Sequence, residues 1–212
     1  DIYDYYHDYS AEIEDKNIGN DTIAVIYAEG SIIDSSAGND RTISISPDSI
    51  STKLEKALRT KNLKGIVLRV NSPGGSALAS EVIYQALSKT NVPIYVSMSE
   101  TAASGGYYIS MAGKKVFADN ATITGSIGVV SMMPKFYNAQ NKYGVTANTI
   151  SKGKYSDMYN PFTPLSEESK AKISESMLST YKEFKSRVTA SRKIDDATLE
   201  NYAQGKIWLG DE

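Results

Sequence analysis

The sequence contains no cysteine and a single histidine, His7, among its 212 residues. Without cysteine the chain can form no disulfide, no thiolate nucleophile and no cysteine-based metal site. His7 lies in a tyrosine- and aspartate-rich N-terminal segment, and we interpret it as a solvent-exposed polar residue. The composition therefore argues against cysteine-dependent chemistry and against a serine–histidine hydrolase.

Long apolar runs and an excess of one charge are also missing. No window approaches the ~18 apolar residues that span a bilayer. The net charge of −2 gives no basic field for nucleic acid or a lipid surface. Carboxylates are scattered without a compact ligand run, so we expect no metal and no cofactor. The chain begins at Asp1 and ends without a polar tail, so we expect a piece of a longer protein whose membrane anchor lies elsewhere.

Short apolar runs alternate with helix-forming segments from residue 21 onward. This alternation predicts parallel β-α-β units in one α/β domain at residues 21–212, preceded by a linker arm at 1–20. A polar stretch at 29–46 predicts a long surface loop, and apolar spacing predicts that Leu58 and Val82 face inward. The predicted strands are 22–28, 64–70, 93–98, 115–118 and 145–150, and the main predicted helices are 47–60, 77–89, 107–112, 132–143, 166–188 and 194–203.

A serine in a tight turn, Ser104, is the strongest candidate for chemistry. Small residues at 102–103 and 105–106 flank it, between a predicted strand and a helix-forming segment. They permit a sharp strand-to-helix turn, which would place the serine at a helix N-terminus where negative charge is favoured. The alternative is a small residue chosen because nothing larger fits the turn.

A serine nucleophile also needs hydrogen-bond donors for an oxyanion and a nearby base. Gly74 and Gly75 follow another predicted strand and could turn backbone N–H groups into a cavity, although a plain Pro-Gly turn explains them equally well. Both glycine-rich turns fall at the carboxyl edge of the predicted sheet, where sites of such sheets form. The base is harder to find, since Lys152 and Lys154 stand in a polar loop that suggests solvated lysines.

Three segments resemble the signal peptide peptidase A family of membrane-bound serine proteases: VNSPGGS at 70–76, SETAASGGYYIS at 99–110 and TGSIGVV at 124–130. The resemblance runs from about residue 22 to the C-terminus. It implies the α/β Clp-protease/crotonase fold with its ββα-repeat core. It also implies a Ser–Lys dyad with Ser104 as nucleophile, an oxyanion hole shaped by Gly74 and Gly75, and Ser126 as an accessory serine that orients the lysine.

The chain departs from this family at the lysine. Short members carry it some fifty residues after the serine, and the matching position here is Ser156, with Lys154 two residues away. Long members fuse two homologous halves, with the lysine in the first and the serine in the second. We therefore expect this chain to be the C-terminal half of a double-length peptidase, with the general-base lysine absent from the chain.

That interpretation predicts the partners. The N-terminal half of the same or an adjacent subunit would supply the lysine, in a homo-oligomer closed like a tetrameric ring. By resemblance, the substrates would be cleaved signal peptides and other apolar peptides. The location would be the bacterial cytoplasmic membrane, with the catalytic domain on its outer, periplasmic side. Nucleic acid is not expected as a partner.

Three alternatives stay open on the sequence. Lys154 could complete a self-contained Ser–Lys peptidase after a two-residue slip of the alignment. The paired oxyanion donors could instead serve a crotonase-type acyl-CoA enzyme, because they suit enolates as well as acyl intermediates. The chain could also be a catalytically silent scaffold half that serves assembly or substrate capture.

Overall fold

A computed structural model of the protein describes residues 21–35, 43–144 and 146–212, without the side chains of residues 140 and 141. The predicted linker arm at 1–20, with His7, lies outside the described residues. The strands are β1 (Thr22–Glu29), β2 (Ser31–Ile32), β3 (Ser44–Ile45), β4 (Leu63–Ser72), β5 (Ile94–Ala103), β6 (Lys115–Phe117), β7 (Ile123–Gly125) and β8 (Ile207–Leu209). The helices are α1 (Pro47–Leu58), α2 (Ala77–Ser88), α3 (Gly105–Ser110), α4 (Tyr137–Tyr143), α5 (Glu167–Arg192) and α6 (Asp196–Tyr202).

The main sheet has the strand order β1-β4-β5-β7-β8, with β6 also paired to β5. Its strands run parallel except β8, which is antiparallel to β7. The carboxyl ends of β4, β5 and β7 therefore meet at one edge. The sequence predicted this shared edge for the two glycine-rich turns after β4 and β5, whereas β7 was not predicted as a strand. That edge holds Gly74, Ser104 and Ser126.

One face of this sheet carries the core. Alternate residues of the three long strands are buried in one apolar cluster with residues of α1, α2, α3, α5 and α6. The strand members are Ile26, Ala28, Ile66, Leu68, Val70, Ile94, Val96 and Met98. On the opposite face, Ile23, Val25 and Tyr27 of β1 are 65%, 52% and 54% exposed. The alternation follows from the two-residue side-chain period of a strand.

Helix α1 begins where the sequence predicts. Ser46 Oγ accepts the Ser49 N–H at 3.2 Å and Ser49 Oγ accepts the Ser46 N–H at 3.1 Å, so the two serines form a reciprocal capping box. Pro47 occupies the first turn, where its missing N–H costs no hydrogen bond. The prediction that Leu58 and Val82 face inward is wrong, since each is 44% exposed at the margin of its helix's apolar stripe.

Three further sequence predictions need correction, each because long-range contacts decide the outcome. The expected loop at 29–46 contains the parallel pair β2–β3. The helix expected at 132–143 begins only at Tyr137, because the Phe136 N–H donates to the Pro161 carbonyl at 2.7 Å. Residues 146–150 form no strand, and all five are exposed without a ladder partner in the described chain.

Helix α3, which begins beside Ser104, is fixed to the rest of the core through Glu81 of α2. The Tyr108 hydroxyl donates to Glu81 Oε2 at 2.5 Å, and Arg187 of α5 donates to Glu81 Oε1 at 2.7 Å. Burial would raise the pKa of the Glu81 carboxyl, but hydrogen bonds from Arg187, Tyr108 and Gln85 outweigh it and hold the pKa below its usual value. A charge-assisted network thus joins α2, α3 and α5.

Replacing Glu81 with glutamine is expected to lower the free energy of unfolding at pH 7 by about 1–2 kcal/mol, because the neutral amide gives weaker hydrogen bonds to Arg187. A carboxyl with a depressed folded-state pKa stabilises above its unfolded pKa of about 4.3 and loses that contribution as pH falls through the folded value. The free energy of unfolding of Glu81→Gln, measured by urea unfolding, should therefore fall less steeply at acidic pH than that of the unsubstituted protein. Glu175→Gln is the matched control, since its ion pair with Lys172 is exposed and worth little. Equal effects of the two substitutions would contradict the prediction.

Candidate active site

Ser104 stands at the junction of β5 and α3 in a left-handed backbone conformation, with φ 51° and ψ −120°. Its N–H donates to the Gly125 carbonyl at 3.0 Å, and its carbonyl accepts the Tyr108 N–H at 2.9 Å. A non-glycine residue in such a conformation costs on the order of 1–3 kcal/mol and persists only where its surroundings fix it. The turn leaves Ser104 partly exposed, and its Oγ makes no hydrogen bond within the described chain.

The glycine-rich turn after β4 packs directly against this serine. A Cβ on Gly74, whose φ is +98°, would lie 2.6 Å from the Gly105 nitrogen and 2.8 Å from Ser104 Cβ. Gly75, at φ +152°, lies so close to β2 that a Cβ would overlap the Ile32 carbonyl. Only glycine therefore fits at both positions, and the sequence-predicted nucleophile and donor loop are brought together.

The two amide groups of this turn differ. The Gly74 N–H donates to Ser72 Oγ at 3.1 Å, and Gly74 is buried. The Ile32 N–H donates to the Gly74 carbonyl at 2.9 Å, and the Ile32 carbonyl accepts the Ser76 N–H at 2.8 Å. Gly75 lies between Gly74 and Ser76 opposite Ile32, so its own N–H points away from β2. Gly75 is exposed, and its N–H has no acceptor among the described residues. Of the two glycines, Gly75 has the free donor.

Ser126 follows β7 as Ser104 follows β5. The two strands pair in parallel with Ala103 opposite Gly125, so the serines leave adjacent strands side by side, about 5 Å apart along the sheet. Ser126 also has a left-handed backbone, with φ 49°, and its N–H donates to the Lys206 carbonyl at 2.7 Å. Both hydroxyls therefore lie at the same edge.

The candidate base positions lie in the loop before α5. Lys154 Nζ is 3.1 Å from a Glu168 carboxylate oxygen, and its side chain is 61% exposed. Hydrogen bonding and charge from Glu168 raise the pKa of Lys154, whereas a lysine that acts as a base needs a lowered pKa. Ser156 Oγ donates to the Gly153 carbonyl at 2.8 Å. Among the described residues, no lysine Nζ bonds to Ser104 or Ser126.

Residues 21–35, 43–144 and 146–212 contain no group of three or more acidic or histidine side chains that could hold a metal ion. None of the helices described there is both long and apolar enough to cross a membrane.

One residue of the site, Ser72, and two short strands beside it, β7 and β8, were not predicted from the sequence. Ser72 is fully buried and fixes the Gly74 amide, but a serine before a Pro-Gly turn gives no signal of that role. Strand β8 was not predicted, because three residues carry too little pattern. It is held by its pairing with β7 and by Trp208, whose indole N–H donates to the Tyr202 carbonyl at 2.9 Å.

A cavity with mixed polar and apolar walls lies next to Gly125, and Thr124, Arg192 and Glu212 are among its polar lining residues. It has a volume of about 560 Å³ and lies between the sheet and helices α5 and α6. Gly125, whose carbonyl holds the Ser104 amide, forms part of its wall. Its largest apolar lining side chains are Met98, Tyr107, Ile127, Leu199 and Trp208.

The chain is similar to two families of known proteins. Residues 86–212 match peptidase family S49, and residues 19–124 match the Clp protease family. A point mutant of ClpP1 from Listeria monocytogenes shares the fold, with a TM-score of 0.59 over 89% of this chain and 84% of that one at 12% identity. The Clp-protease-like α/β fold expected from the sequence is therefore confirmed.

Curated relatives cover nearly the whole chain. Protease 4 of Haemophilus influenzae is 37% identical over 98% of this chain and 34% of its own length. Protease 4 of Salmonella typhi is 35% identical over 98% of this chain and 33% of its own length. The chloroplastic serine protease SPPA of Arabidopsis thaliana is 35% identical over 91% of this chain and 29% of its own length. The chain thus spans about a third of the length of these relatives. With the family match over more than half its residues, this chain belongs to peptidase family S49, the signal peptide peptidase A family.

Proposed function

We propose that this chain supplies the nucleophile and oxyanion donors of a Ser–Lys endopeptidase. The observation that carries the proposal is the contact between Ser104 and the Gly74–Gly75 turn. A methyl group added at Gly74 would overlap the Gly105 amide. A strained serine at a strand-to-helix turn, packed against a turn that carries a free backbone N–H, suits acyl transfer. Membership of family S49 supports the same reaction.

In this mechanism Ser104 Oγ attacks the scissile carbonyl and loses its proton to a neutral lysine. The oxyanion accepts hydrogen bonds from the Gly75 N–H and from the Gly105 N–H at the start of α3. Collapse of the tetrahedral intermediate breaks the C–N bond, and the lysine returns the proton to the leaving amine. Water then hydrolyses the acyl-enzyme by the same steps. Ser126, beside Ser104 at the sheet edge, orients the lysine.

The lysine comes from a homologous half, in the same or an adjacent subunit. The state of Lys154 supports this assignment. Its ion pair with Glu168 keeps the ammonium group charged and the side chain is largely exposed, whereas a general base must be neutral. Ser156, at the position that matches the family lysine, has no basic group. The active site then forms at an interface between halves, in a ring-like homo-oligomer.

The proposed substrates are cleaved signal peptides and other apolar peptides. The cavity beside Gly125 supports this class, because Met98, Leu199 and Trp208 offer apolar surface there, next to the residue whose carbonyl holds the Ser104 amide; Arg192 and Glu212 give the same cavity a polar part. We propose that the reaction takes place at the bacterial cytoplasmic membrane, on its periplasmic side, with the anchor outside these residues; the resemblance to the membrane-bound signal peptide peptidase A family supports this proposal.

The test compares this chain alone with the assembled peptidase, meaning this chain together with its lysine-bearing half. Circular dichroism first establishes that the isolated chain is folded. We expect no detectable hydrolysis of a fluorogenic apolar peptide by the isolated chain, because a serine hydroxyl without a base is a weak nucleophile. The assembled peptidase should hydrolyse the same peptide.

Turnover by the isolated chain would contradict the split site. Lys154→Ala then identifies the base: loss of that activity would support the self-contained dyad, and retained activity would exclude it. Lys172→Ala is the control, since this residue also pairs with a glutamate on the exposed surface, at 2.8 Å.

A further inference from the structure

Strand β5 carries two more residues than its partner β4 just before it reaches Ser104. Val70 pairs with Met98 and Ser72 with Ala102, so a single residue of β4, Asn71, stands opposite residues 99–101. Such an insertion leaves backbone groups without ladder partners and bends the strand. Ser99 and Thr101 are partly buried, so their backbone groups need other partners.

Side chains from both neighbouring segments bind two of these groups, the Thr101 N–H and the Ser99 carbonyl. Asn71 Oδ1 accepts the Thr101 N–H at 3.2 Å. Thr122 Oγ1 donates to the Ser99 carbonyl at 2.7 Å, and Arg69 donates to the Met98 carbonyl at 2.9 Å. Arg69 also donates to Ser99 Oγ at 2.9 Å. The bulge is thus fixed on one side by β4 and on the other by the residue that precedes β7.

The bulge connects the parts of the active site. It ends three residues before Ser104, so its shape sets where β5 delivers the nucleophile. Asn71 is followed at once by Ser72, which fixes the Gly74 amide, and Thr122 leads into β7 and Ser126. Asn71 therefore connects the bulge in β5 to the end of β4, which leads to Gly74. Thr122 connects the same bulge to β7, which leads to Ser126.

We propose that Asn71 and Thr122 are positioning residues for Ser104, acting through the β5 bulge. The inference rests on the proposed peptidase function. Thr122 is 1% exposed, and replacing its hydroxyl with a methyl group leaves the Ser99 carbonyl unsatisfied. The bulge then relaxes and moves Ser104 relative to the Gly75 N–H, and a displacement of about 1 Å can cost a hundredfold in rate.

The experiment measures hydrolysis and fluorophosphonate labelling of Ser104 in the assembled peptidase. Thr122→Val is expected to lower kcat by about 10- to 100-fold with KM changed less than about threefold, and to slow labelling in parallel. Thr122→Ser, which keeps the hydroxyl, should restore both rates. Thr90→Val is the control, because Thr90 Oγ1 also donates to backbone carbonyls, at 3.0 and 3.1 Å, but near the opposite end of β5.

Asn71→Ala is the second test variant in case Thr122→Val does not fold. Because Asn71 is only half-buried, its replacement disturbs the core less. Its labelling rate should also fall, at temperatures well below its unfolding midpoint. Labelling rates within twofold of Thr90→Val in either folded variant would overturn the inference. Failure of the unsubstituted assembly to label at Ser104 would instead overturn the proposed function, so the two failures are distinguishable.

Discussion

Ser104→Ala abolishes peptide hydrolysis by the assembled peptidase, with an expected loss of at least about a thousandfold in kcat. The alanine removes the attacking oxygen and leaves the turn unchanged, because the backbone hydrogen bonds to Gly125 and Tyr108 do not involve the hydroxyl. Substrate binding should persist, since the oxyanion donors and the cavity are intact. The measurement is steady-state hydrolysis of an apolar peptide, with fluorophosphonate labelling as an independent readout of the nucleophile.

Ser110→Ala is the matched control for this substitution. Ser110 lies in the same helix, α3, is fully buried, and donates its hydroxyl hydrogen to the Gly106 carbonyl at 2.7 Å, away from the site. Its activity should stay within about threefold, with a loss of stability near 1 kcal/mol. Full activity of Ser104→Ala would favour the scaffold alternative. Acyl-CoA binding together with failure of Ser104 to label would favour the crotonase-type enzyme.

Gly74→Ala is expected to reduce kcat/KM by at least about a hundredfold. The added Cβ would lie 2.6 Å from the Gly105 nitrogen and 2.8 Å from Ser104 Cβ, so either the turn or the nucleophile must move. Alanine is also strained at the Gly74 φ of +98°. Displacing the turn moves the Gly75 N–H away from the oxyanion, which removes stabilisation that exists only in the transition state.

Gly153→Ala separates the local clash from the backbone strain. Gly153 has a comparable φ of +107°, but a Cβ there would meet no atom within 4 Å. Both substitutions should lower the midpoint of thermal unfolding, while only Gly74→Ala should lose activity and fluorophosphonate labelling. Equal activity losses would mean that strain alone, and not contact with Ser104, explains the result.

The sequence predicted the parts of this protein that local chemistry controls. Ser46 and Pro47 mark the start of α1, and the small residues around Ser104 mark its turn, because capping and tight turns depend on neighbours in the chain. The edge at which Ser104 and Gly74 meet also followed from the order of strands and helices, since parallel strands end together. Ser126 was expected only from the family resemblance, because β7 was not predicted as a strand.

What the sequence could not predict depends on partners far along the chain. The bulge in β5 exists only relative to β4, so neither strand alone reveals it. The start of α4 is decided by the Pro161 carbonyl, which lies twenty-five residues from Phe136. The role of Ser72 likewise requires the fold, because its hydroxyl becomes useful only once Gly74 has turned back toward it.

The left-handed backbones of Ser104 and Ser126 also matter for engineering. Each non-glycine residue in such a conformation costs on the order of 1–3 kcal/mol, against a typical domain stability of about 5–15 kcal/mol. A selection for heat resistance alone would therefore favour glycine at both positions and yield a sturdier protein without its nucleophile. Stabilising designs should hold these two serines fixed and seek their gains elsewhere, since stability and activity are opposed at this sheet edge.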